Sequence, residues 1–160
     1  MAVFVALVWL VLTRFAGAWG VPYFPFTTAN GSSCTNTWTG YVCDSITPDD
    51  YQLYTGQPLP RGTVIISGDY TVTHNYALRA VLVTTKADAA AVGKQLTKTY
   101  GSCTDGPTPD ELAEADTICR MTTDDDATST DKPPPPQTYT VVTGVLKNGQ
   151  RVTVVQLQSR

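Results

Sequence analysis

The sequence contains a single histidine, His74, among its 160 residues. A catalytic triad or a histidine-ligated metal site would therefore have to use this one residue. Ser67 and Asp69 lie near His74 in sequence, but residues along one strand do not form a triad, and the chain has no Gly-x-Ser-x-Gly nucleophile elbow. We therefore predict no catalytic residue. The alternative is a small secreted hydrolase that uses His74.

Charged residues are scarce as well and make up 16% of the chain. The 11 basic and 14 acidic residues give a net charge of −3, and the basic residues are scattered singly along the chain. Nucleic-acid binding needs a basic patch or stripe that neutralises phosphates. The charge pattern therefore excludes nucleic acid as a partner and leaves another protein as the expected one.

The chain also lacks an apolar run of the length that crosses a membrane, which is about 20 residues. Residues 1–13 hold no charged side chain, but Arg14 ends this run. A short apolar segment followed by small residues is typical of a signal peptide, and Ala16 and Ala18 occupy the positions that signal peptidase requires. We therefore predict that residues 1–18 are a signal peptide.

Two other interpretations of this N-terminal segment remain open. Residues 1–18 could be an uncleaved anchor that holds an extracellular domain at a membrane, which is the one case in which a membrane would be a partner. They could also form a buried part of the core. Cleavage after position 18, in contrast, would make Trp19 the first residue of the mature chain.

Four cysteines follow the predicted signal peptide. Eight residues separate Cys34 from Cys43 and 15 separate Cys103 from Cys119, so the closely spaced pairs typical of structural zinc sites are missing. Of the three possible disulfide connectivities, we predict Cys34–Cys43 and Cys103–Cys119, because each closes a short local loop. Disulfides indicate an oxidising compartment and hence secretion. We expect no metal and no cofactor.

Three consecutive aspartates, beginning at Asp124, raise the question of calcium. In an EF-hand loop starting there, Ser129 would stand in place of the required glycine and Pro135 in place of the glutamate, so that motif is excluded. A looser site formed by Asp124, Asp126 and Asp131 stays open beside the simpler interpretation of a solvated loop.

Asn30-Gly31-Ser32 matches the acceptor motif for N-glycosylation. It lies in a polar, turn-rich stretch just before the first cysteine. Asn30 is therefore a predicted glycosylation site in a eukaryotic secretory pathway.

Residues 19–60 show no sustained period of 2 or 3.6, and we interpret them as an irregular segment held by the first disulfide. Eight aromatic residues lie in this segment. An exposed aromatic cluster would be a contact surface, whereas disulfide-braced domains more often bury such residues as core. The residues are Trp19, Tyr23, Phe24, Phe26, Trp38, Tyr41, Tyr51 and Tyr54.

Residues 61–160 carry the patterns of an α+β core. Two hydrophobic runs, 62–67 and 78–84, predict buried strands, and residues 70–74 predict a third strand after a turn at Gly68-Asp69. A helix is predicted after Thr85, because the four residues of an apolar stripe recur at helical spacing. The stripe consists of Ala89, Val92, Leu96 and Tyr100.

The last part of the chain predicts a short helix, a loop and a hairpin. The helix starts at Thr108, with Glu111 completing a capping box, and runs towards Cys119. Residues 122–136 predict a solvated Thr/Asp/Pro loop that ends in four prolines. Asn-Gly at 148–149 predicts a hairpin with a two-residue type I′ turn, which places Val145 opposite Val152 and Val142 opposite Val155.

Together these patterns predict one α+β domain, with a small antiparallel sheet of about five strands, one main helix, one short helix and two disulfides. We expect a secreted, non-enzymatic binding or interaction protein, such as an inhibitor, an effector or a surface module. Disulfide-braced loops suit recognition, and the residue patterns of catalytic sites are missing.

Overall fold

The structure is a computed structural model that describes residues 1–125 and 137–159. These residues form a single antiparallel sheet of eight strands with three α-helices and one 3-10 turn, so the α+β class is confirmed. The helices are α1 (Ala2–Phe15), α2 (Pro48–Thr55) and α3 (Ala89–Tyr100), and the 3-10 turn is Asp110–Leu112. The strands are β1 (Pro25–Thr27), β2 (Ser33–Asn36), β3 (Tyr41–Cys43), β4 (Thr63–Val72), β5 (Tyr76–Thr84), β6 (Asp116–Asp125), β7 (Gln137–Val145) and β8 (Arg151–Ser159).

The prediction of about five strands was wrong, because the sheet has eight in the order β1-β2-β3-β4-β5-β8-β7-β6. Three of the additional strands lie in the segment 19–60, which we expected to be irregular. They are only three or four residues long, too short for an alternating pattern to show. The same segment contains α2, which begins after the N-cap Thr47 with Pro48 in its first turn and ends at Gly56.

The two strands predicted on either side of Gly68-Asp69 are one strand, β4. Gly68 pairs with Ala80 of β5, and the chain turns later, at residues 73–75. The ladder slips between Ile65 and Ser67, which is a β-bulge. A bulge shifts the inward–outward alternation by one residue, and this shift hides the continuity of the strand in the sequence.

The short helix predicted from Thr108 is also wrong. Only the 3-10 turn Asp110–Leu112 forms, and β6 follows from Asp116. The Glu111 side chain, predicted to cap the helix, instead forms an ion pair with Arg79 at 2.6 Å. Strand β6 extends through residues 122–125 of the predicted loop, and residues 126–136, with the four prolines, lie outside the described residues.

Helix α3 is confirmed with its predicted inner face. All four residues of the apolar stripe, Ala89, Val92, Leu96 and Tyr100, are buried. The helix ends at Gly101, whose φ of +93° is a conformation that glycine adopts without steric cost.

The predicted final hairpin is confirmed as β7–β8, but its register is wrong by one residue. Val145 lies opposite Arg151, and Val142 lies opposite Val154. A type I′ turn needs a positive φ at both central residues, whereas here only Gly149 has one, at +86°. The result is a three-residue loop with a left-handed glycine at its third position.

The two faces of the sheet are covered unequally. Helices α2 and α3 pack on one face over the larger core, whose fully buried members include Met121 and Leu157. On the other face a smaller valine cluster is closed by Leu112 of the 3-10 turn. Val64 and Ile66 remain exposed on β4.

Both predicted disulfides are confirmed. Cys34–Cys43 joins directly opposed residues of β2 and β3, and both cysteines are fully buried. Cys103–Cys119 ties the segment after α3 to β6, with Cys103 exposed. Two disulfides fit a secreted or extracellular protein, because disulfides persist in oxidising compartments.

Candidate functional site

The eight aromatic residues of the segment 19–60 divide into two groups by their exposure. Five are buried or half-buried, and three are well exposed. The first group is Phe24, Phe26, Tyr41, Tyr51 and Tyr54, and the second is Trp19, Tyr23 and Trp38.

Two of the exposed rings, Tyr23 and Trp38, hold each other in place, and we call them the aromatic pair. The Trp38 Nε1–H group donates to the Tyr23 hydroxyl at 2.8 Å, and the rings meet edge to face with centroids 6.0 Å apart. Tyr23 is 70% and Trp38 77% exposed. The pair therefore presents a fixed aromatic surface to solvent.

The backbone beneath the aromatic pair is constrained. Tyr23 has a φ of +67°, a left-handed conformation that costs an L-residue about 1–2 kcal/mol. Its N–H group donates to the Asn36 carbonyl at 2.8 Å, which fixes this conformation against β2. Trp38 lies in the turn between β2 and β3, which a hydrogen bond from Thr37 N–H to the Gly40 carbonyl closes at 2.7 Å.

Gly40 allows this turn to pack tightly on the neighbouring strand. A Cβ at position 40 would lie 1.8 Å from the Val72 carbonyl oxygen, and the φ of Gly40 is +157°. The disulfide Cys34–Cys43 joins the same two strands below the turn. The tryptophan is therefore carried by a rigid loop.

A row of half-buried and buried rings runs behind this turn towards α2. Phe26 contacts Tyr41 edge to face at 5.5 Å, Tyr41 contacts Tyr70 at 6.4 Å, and Tyr70 stacks on Tyr54 at 3.7 Å. Burial raises the pKa of both Tyr54 and Tyr70 above the usual range of tyrosine. Their hydroxyls therefore stay neutral at any physiological pH.

An open cavity of about 320 Å³ lies at the α2 end of this row, and we call it the tyrosine cavity. Among the described residues that line it, Gln137 is the only one besides tyrosine and threonine with a hydrogen-bonding side chain, and its Oε1 lies 3.0 Å from the Tyr139 hydroxyl. The Thr55 carbonyl oxygen lies 2.9 Å from the same hydroxyl and competes with Gln137 for its single hydrogen. In the part of the chain that the structure describes, no charged side chain lines this cavity; the lining residues are Leu53, Tyr54, Thr55, Gly56, Tyr70, Tyr76, Gln137 and Tyr139.

His74 lies in the exposed turn between β4 and β5 and not on a strand. Ser67 and Asp69 lie back along extended β4, roughly 16–23 Å away at about 3.3 Å per residue. No side-chain hydrogen bond joins His74 to another residue in the part of the chain that the structure describes. These positions bring no nucleophile or carboxylate to the imidazole, and a hydrolase using His74 gains no support from them.

Asn30 is exposed in the turn after β1, and its glycosylation stays a prediction. Its amide group donates to the Asp50 carboxylate at 2.9 Å, and the Thr28 hydroxyl donates to the same carboxylate at 2.5 Å. Asp50 is 1% exposed. This buried carboxylate therefore connects the loop that carries Asn30 to α2. The signal in the sequence is Thr47-Pro48, which marks the start of a helix and places Asp50 in its first turn.

The predicted cleavage site lies where α1 meets the sheet. The apolar side chains along α1 are exposed, whereas Ala16 and Gly17 are buried. The Asn36 amide donates to the Gly17 carbonyl at 2.7 Å and to the Phe24 carbonyl at 3.4 Å. Cleavage after Ala18 would remove the first of these contacts and leave the second.

Among residues 1–125 and 137–159, no helix is both long and apolar enough to cross a membrane.

The same ranges contain no group of three or more histidine, cysteine or acidic residues that could hold a metal ion. Of the looser calcium site considered above, Asp126 and Asp131 lie outside these ranges. The Asp124 carboxylate accepts a hydrogen bond from the Thr138 hydroxyl at 2.8 Å.

No protein-family model, no curated protein and no solved structure matches the chain. The candidate sites are therefore compared by their geometry alone, and the aromatic pair combines high exposure with a constrained backbone.

Proposed function

We propose that the chain is a secreted, non-enzymatic binding domain that contacts another protein through the aromatic pair. The observation that carries this proposal is the left-handed backbone of Tyr23 beneath an exposed side chain. A strained residue persists when its surroundings fix it, and such residues concentrate at functional sites. Neither ring of the pair is buried, so apolar burial does not offset the backbone cost.

The chemistry of the pair indicates what kind of partner it fits. Tryptophan and tyrosine are enriched among the residues that dominate protein–protein binding energy, because they offer large rigid surfaces at low entropic cost. The Tyr23 hydroxyl accepts from Trp38 and keeps its own hydrogen for donation. The pair therefore suits an apolar cleft on a protein surface that is edged by a carbonyl acceptor.

We expect Trp38→Ala to weaken binding of the partner by about 30-fold or more, since truncating a central aromatic residue costs about 2 kcal/mol or more. The measurement is retention of extracellular proteins on immobilised wild-type and variant domains, followed by titration of the retained protein. Ile66→Ala is the matched control, because Ile66 is 64% exposed but lies on β4, away from the pair. A partner retained by wild type and by the Ile66 variant, and lost with the Trp38 variant, supports the proposal.

Tyr23→Gly separates binding from folding in the same experiment. Glycine adopts a φ of +67° freely, so this variant should be as stable as wild type or more stable, while it loses the partner. The proposal fails if all four proteins retain the same partner equally, or if none retains any.

Export is the second part of the proposal, and the two disulfides and the pattern of residues 1–18 support it. The intact mass of the exported protein is expected to begin at Trp19, with four alkylatable thiols that appear only after reduction. A mass that retains Met1 and carries four free thiols would contradict both cleavage and export.

A further inference from the structure

A pocket of about 400 Å³ beside the second disulfide, which we call the cationic pocket, is unlike the rest of this acidic chain. It lies between α3 and the sheet, and it is lined by Lys94 and Arg151 together with the hydroxyl-bearing residues Thr97, Thr117 and Thr143. None of the described residues that line it carries a carboxylate. Positive charge and hydroxyl groups therefore converge here without an acidic counterpart.

Arg151 is held so that one end of its guanidinium stays available. Its Nε–H group donates to the Ala89 carbonyl at 2.7 Å, and Nη1 donates to the Thr143 hydroxyl at 3.1 Å. These two bonds fix the plane of the group and leave Nη2 without a hydrogen-bond partner in the described ranges. The ion pair found among the described residues joins a different arginine, Arg79, to Glu111 and lies outside the pocket.

A half-buried guanidinium without a carboxylate is costly, because it loses water without gaining an opposite charge. Desolvation accordingly lowers the pKa of Arg151 from its usual value, although an arginine remains protonated at physiological pH. The missing interaction is one that an anion would supply.

Gly93 makes the space for this arginine. It lies inside α3, where glycine is the poorest helix former after proline. A Cβ added at position 93 would lie 2.7 Å from Arg151 Nη2 and 2.8 Å from its Cζ. The glycine thus lets the guanidinium lie directly against the helix.

Thr117, on the other side of the pocket, is strained. Its φ is +52°, an outlier for a β-branched residue, and the β6–β7 ladder slips between Asp116 and Cys119. Bulges of this kind redirect side chains next to functional sites. Here the bulge places a threonine at the wall that faces α3.

We propose that the cationic pocket binds a tetrahedral oxyanion, the phosphate or sulfate group of a ligand. Arg151 Nη2 and the Lys94 ammonium supply the positive charge, and the guanidinium offers the planar donor arrangement that suits such groups. The Thr117 hydroxyl is available as a further donor. This site is separate from the aromatic pair, so it stands or falls independently of the protein-binding proposal.

The test is a titration of the full disulfide-bonded chain with inorganic phosphate and, separately, with sodium sulfate, at constant ionic strength maintained with sodium chloride. The NMR signal of the Arg151 Nε–H group reports binding. We expect saturable shifts, and we expect Lys94→Gln to weaken the affinity by about two- to fivefold, as for one exposed charge. Lys98→Gln is the matched control: it removes the same charge from the same helix but does not line the pocket.

Gly93→Ala provides a second, independent variant. Its methyl group should displace the guanidinium and weaken binding by at least threefold, while the helix keeps or gains stability. Saturation by phosphate alone identifies phosphorylated ligands as the source of the anion, and saturation by sulfate alone identifies sulfated ligands. The proposal is overturned if neither anion gives a saturable shift, if the two lysine variants lose affinity equally, or if Gly93→Ala binds like wild type.

Discussion

Replacing Cys34 and Cys43 together by alanine is expected to lower the free energy of unfolding by about 4 kcal/mol. Loss of the cross-link alone accounts for about 3 kcal/mol in the chain-entropy description. The remainder comes from the cavity that two fully buried sulfur atoms leave between β2 and β3. Urea unfolding of both proteins, without added oxidant or reductant, measures this change in the free energy of unfolding.

The matched comparison is the double alanine variant at Cys103 and Cys119. This disulfide closes a longer loop, with a sequence separation of 16 against 9, so chain entropy alone predicts the larger loss here. Because Cys103 is exposed, we expect instead a smaller loss, of about 3 kcal/mol. A larger loss at this second pair would show that loop closure, and not core packing, determines the contribution of each disulfide.

Asp50→Asn is expected to destabilise the domain by about 2–4 kcal/mol at pH 7, because an amide cannot accept all the hydrogen bonds that converge on this buried carboxylate. Burial alone would raise the pKa of Asp50, but hydrogen bonds from Ser32, Thr28 and Asn30 outweigh it and lower the pKa below its usual value. Chemical unfolding at several pH values measures the effect.

The pH dependence follows from the direction of that shift. A carboxyl group whose pKa is lower in the folded than in the unfolded state contributes stability above the unfolded pKa, about 3.9, and loses it as the pH falls through the folded value. The difference between wild type and Asp50→Asn should therefore shrink below about pH 4. The exposed neighbour Asp49 is the control: Asp49→Asn should cost less than about 1 kcal/mol at any pH. Equal losses at both positions would contradict a specific role for Asp50.

The elements that the sequence predicts correctly are those with strong local signals. Helix α3 has four apolar residues at helical spacing, β5 contains the apolar run 80–83, and both disulfides close short loops. In β6, by contrast, the capping-box pattern before it competes with the strand, and the bulge at Thr117 interrupts its alternation. Asn-Gly suits more than one hairpin loop, so it predicts the β7–β8 turn but not its register.

The candidate sites are less visible in sequence than the fold. The sequence identifies Tyr23 and Trp38 as members of an aromatic group, but their exposure depends on a left-handed tyrosine that no residue pattern reports. Arg151 follows the Asn-Gly turn as an ordinary strand residue. Only the packing of α3 and β7 shows that the partners of its guanidinium are a carbonyl and a hydroxyl and not a carboxylate.

The order of the strands determines which edges of the sheet could pair with a strand of another molecule. Among the described residues, β1 and β6 are the outermost strands, and an outermost strand can accept a strand of another molecule, the first step towards fibrils. Part of the β6 edge is already paired, because the Thr104 N–H group donates to the Arg120 carbonyl at 2.7 Å. β1 is only three residues long and starts at Pro25, which has no N–H group to offer. β6 is bulged near its start and carries charges at Asp116 and Arg120. Both outer edges of the sheet therefore disfavour the addition of a further strand from another molecule.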